Sequence, residues 1–158
     1  MFSIGDKIVH PMHGAGVIDN IVEQRVSGKN LFFYVLRMPM GMLMMIPTVG
    51  CEEIGVRPVI EASRANEVIS LLAGVEVEMT ANWNRRYREN MLRIKSGDLL
   101  EVAKVVKGLA AREKERGLST GERKMLVSAK QILISELVLA LTVDYEQIEG
   151  RIDSILSA

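Results

Sequence analysis

The sequence predicts an α+β protein, a small bent β-sheet or barrel followed by a compact all-helical part. Three observations carry that prediction. All 4 prolines and more than half of the 13 glycines lie in residues 1–60, spread among short apolar runs. Residues 61–158 contain no proline, and their apolar residues recur at helical spacing. The style changes near Pro58, which divides the chain into residues 1–58 and residues 59–158.

The first part reads as four or five short strands joined by tight turns. Lys7 to His10 is a short strand, and His13-Gly14-Ala15-Gly16 reads as a turn. Val17 to Arg25 alternates loosely, and Ser27-Gly28-Lys29-Asn30 is a turn signal. Leu31 to Leu36 is the strongest β segment, rich in aromatic and branched residues. Pro39-Met40-Gly41 turns the chain again, and Met42 to Ile46 forms a further strand before Pro47. Sixty residues enclose only a small core. Of Met38, Met40, Met42, Met44 and Met45, about half are assigned to it.

The second part reads as five helices. Glu61 to Ala73 is the first, and Asn82 to Lys95 the second, stopped at Ser96-Gly97. Asp98 and Glu101 stand at capping-box spacing and open a third helix that runs to Arg116 and stops at Gly117. Ser119 and Glu122 have the same spacing and start a fourth, through about Leu141. Asp144 to Leu156 is the last. Leu99, Val102, Val106 and Leu109 share one face of the third helix; Met125, Ile132, Leu133, Leu137 and Leu141 share one face of the fourth.

The 158 residues carry 20 basic and 20 acidic side chains. That balance hides a pattern. Residues 81–95 hold five basic side chains against Glu89, and residues 104–124 hold seven against three. Helices two, three and the start of four are therefore basic. If they are neighbours, they form a face that attracts phosphate through counterion release. Solvated helix faces with mixed charge, such as Arg112-Glu113-Lys114-Glu115-Arg116, are the alternative. Arg85-Arg86-Tyr87-Arg88 is more specific, because arginine suits bidentate phosphate contacts. The single tryptophan, Trp83, sits among polar residues at a helix start. Two readings stand open: a packing residue between the two parts, or an apolar wedge that unstacks a base step in the minor groove.

Other chemistry is set aside. One cysteine, Cys51, excludes a disulfide framework. His10, His13 and Cys51 lack a fourth ligand, so no metal is expected. Gly14-Ala15-Gly16 is no phosphate loop, since no helix or Lys-Ser/Thr follows it. No catalytic constellation and no cofactor motif is found, so the chain is not read as an enzyme. No apolar run reaches about 18 residues, so no membrane span is expected. The opening Met1-Phe2-Ser3-Ile4-Gly5-Asp6 lacks the pattern of a signal peptide, which places the protein in the cytoplasm.

Three segments resemble one family. Asn82-Trp83-Asn84-Arg85-Arg86-Tyr87-Arg88, then Ser96-Gly97-Asp98, then Glu115 to Leu126 look like the CarD/CdnL bacterial transcription regulators. The opening Phe2 to Gly16, with His10-Pro11-Met12-His13-Gly14-Ala15-Gly16, looks like that family's N-terminal domain, shared with the RNA-polymerase-interacting domain of the transcription-repair coupling factor. The resemblance covers nearly the whole chain.

The resemblance implies a Tudor-like N-terminal domain that binds the polymerase β subunit, partly by edge-strand pairing. It implies a helical domain that touches promoter DNA at the upstream edge of the transcription bubble. Trp83 would wedge into the minor groove, with Arg85, Arg86 and Arg88 near the backbone and Arg123 and Lys124 as further DNA contacts. Arg25, Met45, Ile46 and Pro47 fall at polymerase-binding positions. The outcome would be a more stable open complex, reached by a monomer without sequence-specific readout. Members of the family often place an arginine two residues before the proline that ends the last strand. This chain has Met45 there, which leaves an apolar contact as the expected substitute. The competing expectation is a protein–protein adaptor on polymerase that makes no DNA contact and buries Trp83 between its domains.

Overall fold

A computed structural model describes residues 1–158. The arrangement is α+β. Strands β1 (Lys7–His10), β2 (Gly14–Val26), β3 (Lys29–Arg37), β4 (Leu43–Pro47) and β5 (Arg57–Pro58) form one antiparallel sheet in the order β4-β3-β2-β1-β5. Helices α1 (Ala62–Gly74), α2 (Trp83–Lys95), α3 (Leu99–Arg116), α4 (Thr120–Leu141) and α5 (Tyr145–Ser157) follow.

The β2–β3 hairpin closes with Val26 opposite Lys29, so Ser27 and Gly28 form a two-residue turn. Both have positive φ, 51° and 79°, the geometry whose twist suits paired strands. A register shift between Ile18 and Asn20 bends β2. Alternation then sends Ile18, Tyr34, Leu36 and Ile46 inward, where they meet Ile8, Cys51 and Val56. Met38 and Met44 pack against this cluster, while Met40, Met42 and Met45 stay exposed.

One element departs from the sequence reading. His13-Gly14-Ala15-Gly16 is not a turn: the chain reverses at Pro11–His13, and Gly14 already belongs to β2. The glycines serve close approach instead. A Cβ on Gly14 would lie 2.6 Å from Ser135 Oγ of α4, and one on Gly16 would lie 3.0 Å from the Arg37 carbonyl oxygen and from Met38 Sδ. Gly14 also has φ +97°, a conformation that favours glycine.

The helices start where their caps predict. Asn82 Oδ1 accepts the Arg85 amide at 3.0 Å, Asp98 Oδ1 the Leu100 amide at 3.0 Å, and Ser119 Oγ the Glu122 amide at 3.2 Å. Gly117, at φ +75°, ends α3. Helix α4 is the keel of the molecule. Its residues Ile132 to Val138 are buried without interruption, because the sheet covers one side and other helices cover the rest. A single apolar face therefore underestimates it. The Ala15 amide donates to Ser135 Oγ at 2.9 Å and Lys7 Nζ to the Leu139 carbonyl at 3.0 Å, fastening β1 and β2 along α4.

Candidate nucleic-acid interface

Trp83 is the first residue of α2. Its indole is 42% exposed, so it does not pack between sheet and helices. It is braced rather than loose. Tyr87, one turn later, stacks on it with ring centroids 5.1 Å apart and planes 18° from parallel. Trp83 Nε1 donates to Ser119 Oγ at 2.9 Å. Gly121 lies under both rings; a Cβ there would come within 3.7 Å of the indole and 3.8 Å of Tyr87. The start of α4 thus forms a floor against which the two rings stand on edge.

Arg86 is corrected. The sequence put it among the backbone-contacting arginines, but its side chain is only 3% exposed. Its Nε and Nη2 donate to Glu122 Oε2 and Oε1 at 2.7 and 3.0 Å, and its Nη1 donates to the Thr80 and Ala81 carbonyls at 3.1 and 2.9 Å. A guanidinium so engaged has no face left for phosphate. The Arg86 hydrogen bonds hold the Glu122 carboxyl below its ordinary pKa, and the Glu122 hydrogen bonds raise that of Arg86, each against the cost of burial. The capping box at α4 is accordingly half made. Ser119 caps Glu122, while the Glu122 carboxylate turns to Arg86.

The remaining candidates divide by pairing. Arg88 and Lys124 are exposed and form no ion pair. Arg88 flanks the same surface hollow as Trp83, Asn84 and Tyr87; Lys124 flanks an adjoining one lined by Tyr87 and Gly121. Arg85 meets Glu89 at 3.3 Å and Arg123 meets Glu113 at 3.7 Å, both on the surface. Such pairs are worth little in water and are readily exchanged for a stronger anion. No acidic side chain occupies the first turn of α2, so Arg85 adds to the positive end of that helix with only Glu89, one turn on, to offset it.

The polymerase-side candidates do not share one surface. Strand β4 pairs only with β3, which leaves its other edge open. Met45 and Pro47 face outward on it beside Val35 and Phe33. Ile46 is corrected: at 2% exposure its side chain belongs to the sheet core, and only its main chain can meet a partner. Arg25, opposite Asn30 near the hairpin tip, is an odd number of residues from Val22, so it points to the other face of the sheet from Met45.

Sequence reading missed Ser119 and Tyr87 as supports of the indole and Glu122 as the partner of Arg86. The four-residue spacing from Trp83 to Tyr87 was the available signal for one of them. Nothing local signals a pairing across 36 residues.

Comparison with known proteins fits these halves. Residues 2–60 match the family model described as the CarD-like/TRCF RID domain, and residues 67–153 match that of the CarD C-terminal domain. The chain is also similar to a Bacillus subtilis (strain 168) protein named "Putative transcription factor YdeB". The two are 37% identical over 151 residues, which cover 95% of this chain and 99% of that protein. An open five-stranded sheet of the Tudor-like, polymerase-interacting type and a helical half presenting a braced tryptophan thus stand in one chain, and that chain belongs to the CarD family of transcription factors.

Proposed function

We propose that this protein, acting in the cytoplasm, docks on the RNA polymerase β subunit through the open edge of β4. From there it presses Trp83 into promoter DNA at the upstream edge of the bubble, stabilising the open complex. The two working parts divide near residue 58. The observation that carries the reading is the half-exposed indole, stacked on Tyr87 and hydrogen-bonded to Ser119. An apolar ring kept in water and fixed in direction suits insertion into a distorted base step, since little ordering entropy is left to lose. Arg88 and Lys124 supply free charge beside it, with Arg85 and Arg123 available by exchange of partner. Arg86 acts inside, as the brace of that surface.

Edge-strand pairing uses main-chain groups and needs little side-chain identity, which accommodates Met45. Tethering then raises the effective concentration of a weak basic patch at the promoter. A wedge that binds melted DNA better than duplex shifts the equilibrium by that difference alone. A preference of about 1.4 kcal/mol would raise the open-to-closed ratio about tenfold.

The test is Trp83→Ala in a fluorescence assay of promoter opening with polymerase. Polymerase affinity stays, thermal stability falls by about 1–2 kcal/mol because the half-exposed ring loses its stack on Tyr87 and its hydrogen bond to Ser119, and open-complex stabilisation falls about tenfold. Undiminished opening would overturn the reading. The adaptor alternative draws support from the neutralised state of Arg85, Arg86 and Arg123. It predicts that DNA retention by the polymerase complex shows no salt dependence attributable to this protein.

A further inference from the structure

We propose that Arg57, together with Glu136, is a positioning residue that fixes the angle between the polymerase-docking sheet and the helix carrying Trp83. The inference rests on the function proposed above. Arg57 stands on β5, the strand at the end of the sheet away from β4. Every nitrogen of its guanidinium is engaged. Nη1 and Nη2 fork onto Glu136 Oε2 and Oε1 of α4 at 2.7 and 2.8 Å. Nε donates to the Gly97 carbonyl at 2.9 Å, and Nη1 also donates to the Pro58 carbonyl at 3.0 Å.

Those partners make the contact a junction. Gly97 lies in the turn between α2 and α3, at the far end of the helix that Trp83 opens. Glu136 is fully buried, toward the C-terminal end of the keel helix, and it also accepts the Ile60 amide at 3.0 Å, in the three-residue link between β5 and α1. The Arg57–Glu136 pair therefore ties the turn after the wedge helix, through Arg57, to the keel and, through Glu136, to the connecting link. The planar fork fixes direction as well as distance, which a lysine or an apolar contact cannot do.

Stability alone does not account for such an arrangement. A buried ion pair is often matched or exceeded by well-packed apolar side chains of similar volume. What apolar replacements lack is the third arm to Gly97. The remaining fasteners between sheet and helices, Ala15 to Ser135 and Lys7 to Leu139, reach only α4. A wedge held at one end of a lever acts only if the lever does not pivot on its docked base. Arg57 is the hydrogen-bonded contact that opposes pivoting at the α2 side, where Met12 of the β1–β2 turn adds only undirected apolar packing near Tyr87 and Met91.

The experiment uses the full chain with polymerase and promoter, in four forms: parent, Arg57→Met, Arg57→Met/Glu136→Leu, and Trp83→Ala. Arg57→Met alone strands a buried carboxylate and is expected to lower the melting temperature. The double variant removes both charges and restores it, separating folding from positioning. In the double variant, polymerase affinity stays within about twofold and promoter opening falls at least about threefold, because differential binding of the melted state depends on where the wedge sits. Spin labels at Lys29→Cys on the hairpin and Lys95→Cys at the end of α2 report the angle: the distance distribution broadens in the double variant and is narrow in the parent. A stable double variant that opens promoters like the parent, or keeps the narrow distribution, overturns the proposal. Should Trp83→Ala leave opening unchanged, the wedge reading falls first and the role of Arg57 falls with it.

Discussion

The two halves of this chain use apolar residues in opposite ways. The sheet encloses seven buried residues around Ile18 and Leu36, while the helices enclose 21 around α4. The sheet also leaves Leu31, Phe32, Leu43 and Met45 in water, spread along β3 and β4. The helical half has the larger core and risks one large exposed ring, Trp83, on a braced mount. The sheet half has a core too small to be rigid alone and relies on α4 for its floor. The lesson is a division of labour. A thin, apolar, open-edged sheet suits adhesion to a protein, and a thick helical body suits holding a single side chain in a fixed direction.

The sharpest way to break that comparison is to weaken each core in turn. Leu133 of α4 and Leu36 of β3 are both fully buried. Leu133→Ala opens a cavity in the thick core, where surrounding helices relax little, and is expected to lower stability by about 4 kcal/mol. Leu36→Ala, in a shallow core that settles onto the gap, is expected to cost about 2–3 kcal/mol. Urea unfolding followed by circular dichroism measures both. A larger loss from Leu36→Ala would show that the sheet, not the helices, carries the structure.

Next in size is the buried pair that braces the surface carrying Trp83. Arg86→Met leaves Glu122 without its partner and is expected to cost about 3 kcal/mol, whereas Arg86→Met/Glu122→Leu recovers most of it. The acid side gives a second signature. Hydrogen bonds from Arg86 hold the folded Glu122 pKa below its unfolded value. Its stabilisation is therefore complete above the unfolded carboxylate pKa and is lost as pH falls through the depressed folded one. Melting curves from neutral pH into the acid range should show a steeper acid loss in the parent than in the double variant. Equal slopes would mean that the pair contributes nothing pH-dependent.

Much of this architecture was legible in the residues, for physical reasons that also mark where legibility stopped. The caps at Asp98 and Ser119 and the stop at Gly117 are local signals, and each appears where the sequence put it, while Asn82, read as the first residue of its helix, is the cap just before it. The aromatic and branched composition that marked β3 was equally local. Gly14 and Gly16 misled, because a glycine needed for close approach, Gly14 to Ser135 of α4 and Gly16 to Arg37 and Met38, looks the same as one needed for a turn. Arg86 misled in the same way. In a run of three arginines only the three-dimensional phase of the helix shows which one points inward to Glu122. Ile46 and Met45 are adjacent, and their opposite fates follow from strand alternation, a signal present in the sequence but outweighed by the family pattern that grouped them.

The smallest stability effect belongs to the edge of the sheet, and it tests the other half of the comparison. Met45 is 40% exposed on β4, beside Val35 of β3, with nothing on its far side. Met45→Glu therefore costs little in the free protein, within about 0.5 kcal/mol. If β4 is the docking edge, however, a partner strand must bring its own side chains against that outward face, and a carboxylate there must be desolvated without a partner. Polymerase affinity should fall about tenfold or more, one decade for each 1.4 kcal/mol of unpaired burial. Met45→Ala should cost far less, since main-chain pairing survives it. The braced indole should not notice either change, so Trp83 fluorescence in the free protein stays as it was. Unaltered polymerase binding by Met45→Glu would move the docking surface away from β4, toward the hairpin tip where Arg25 projects from the opposite face.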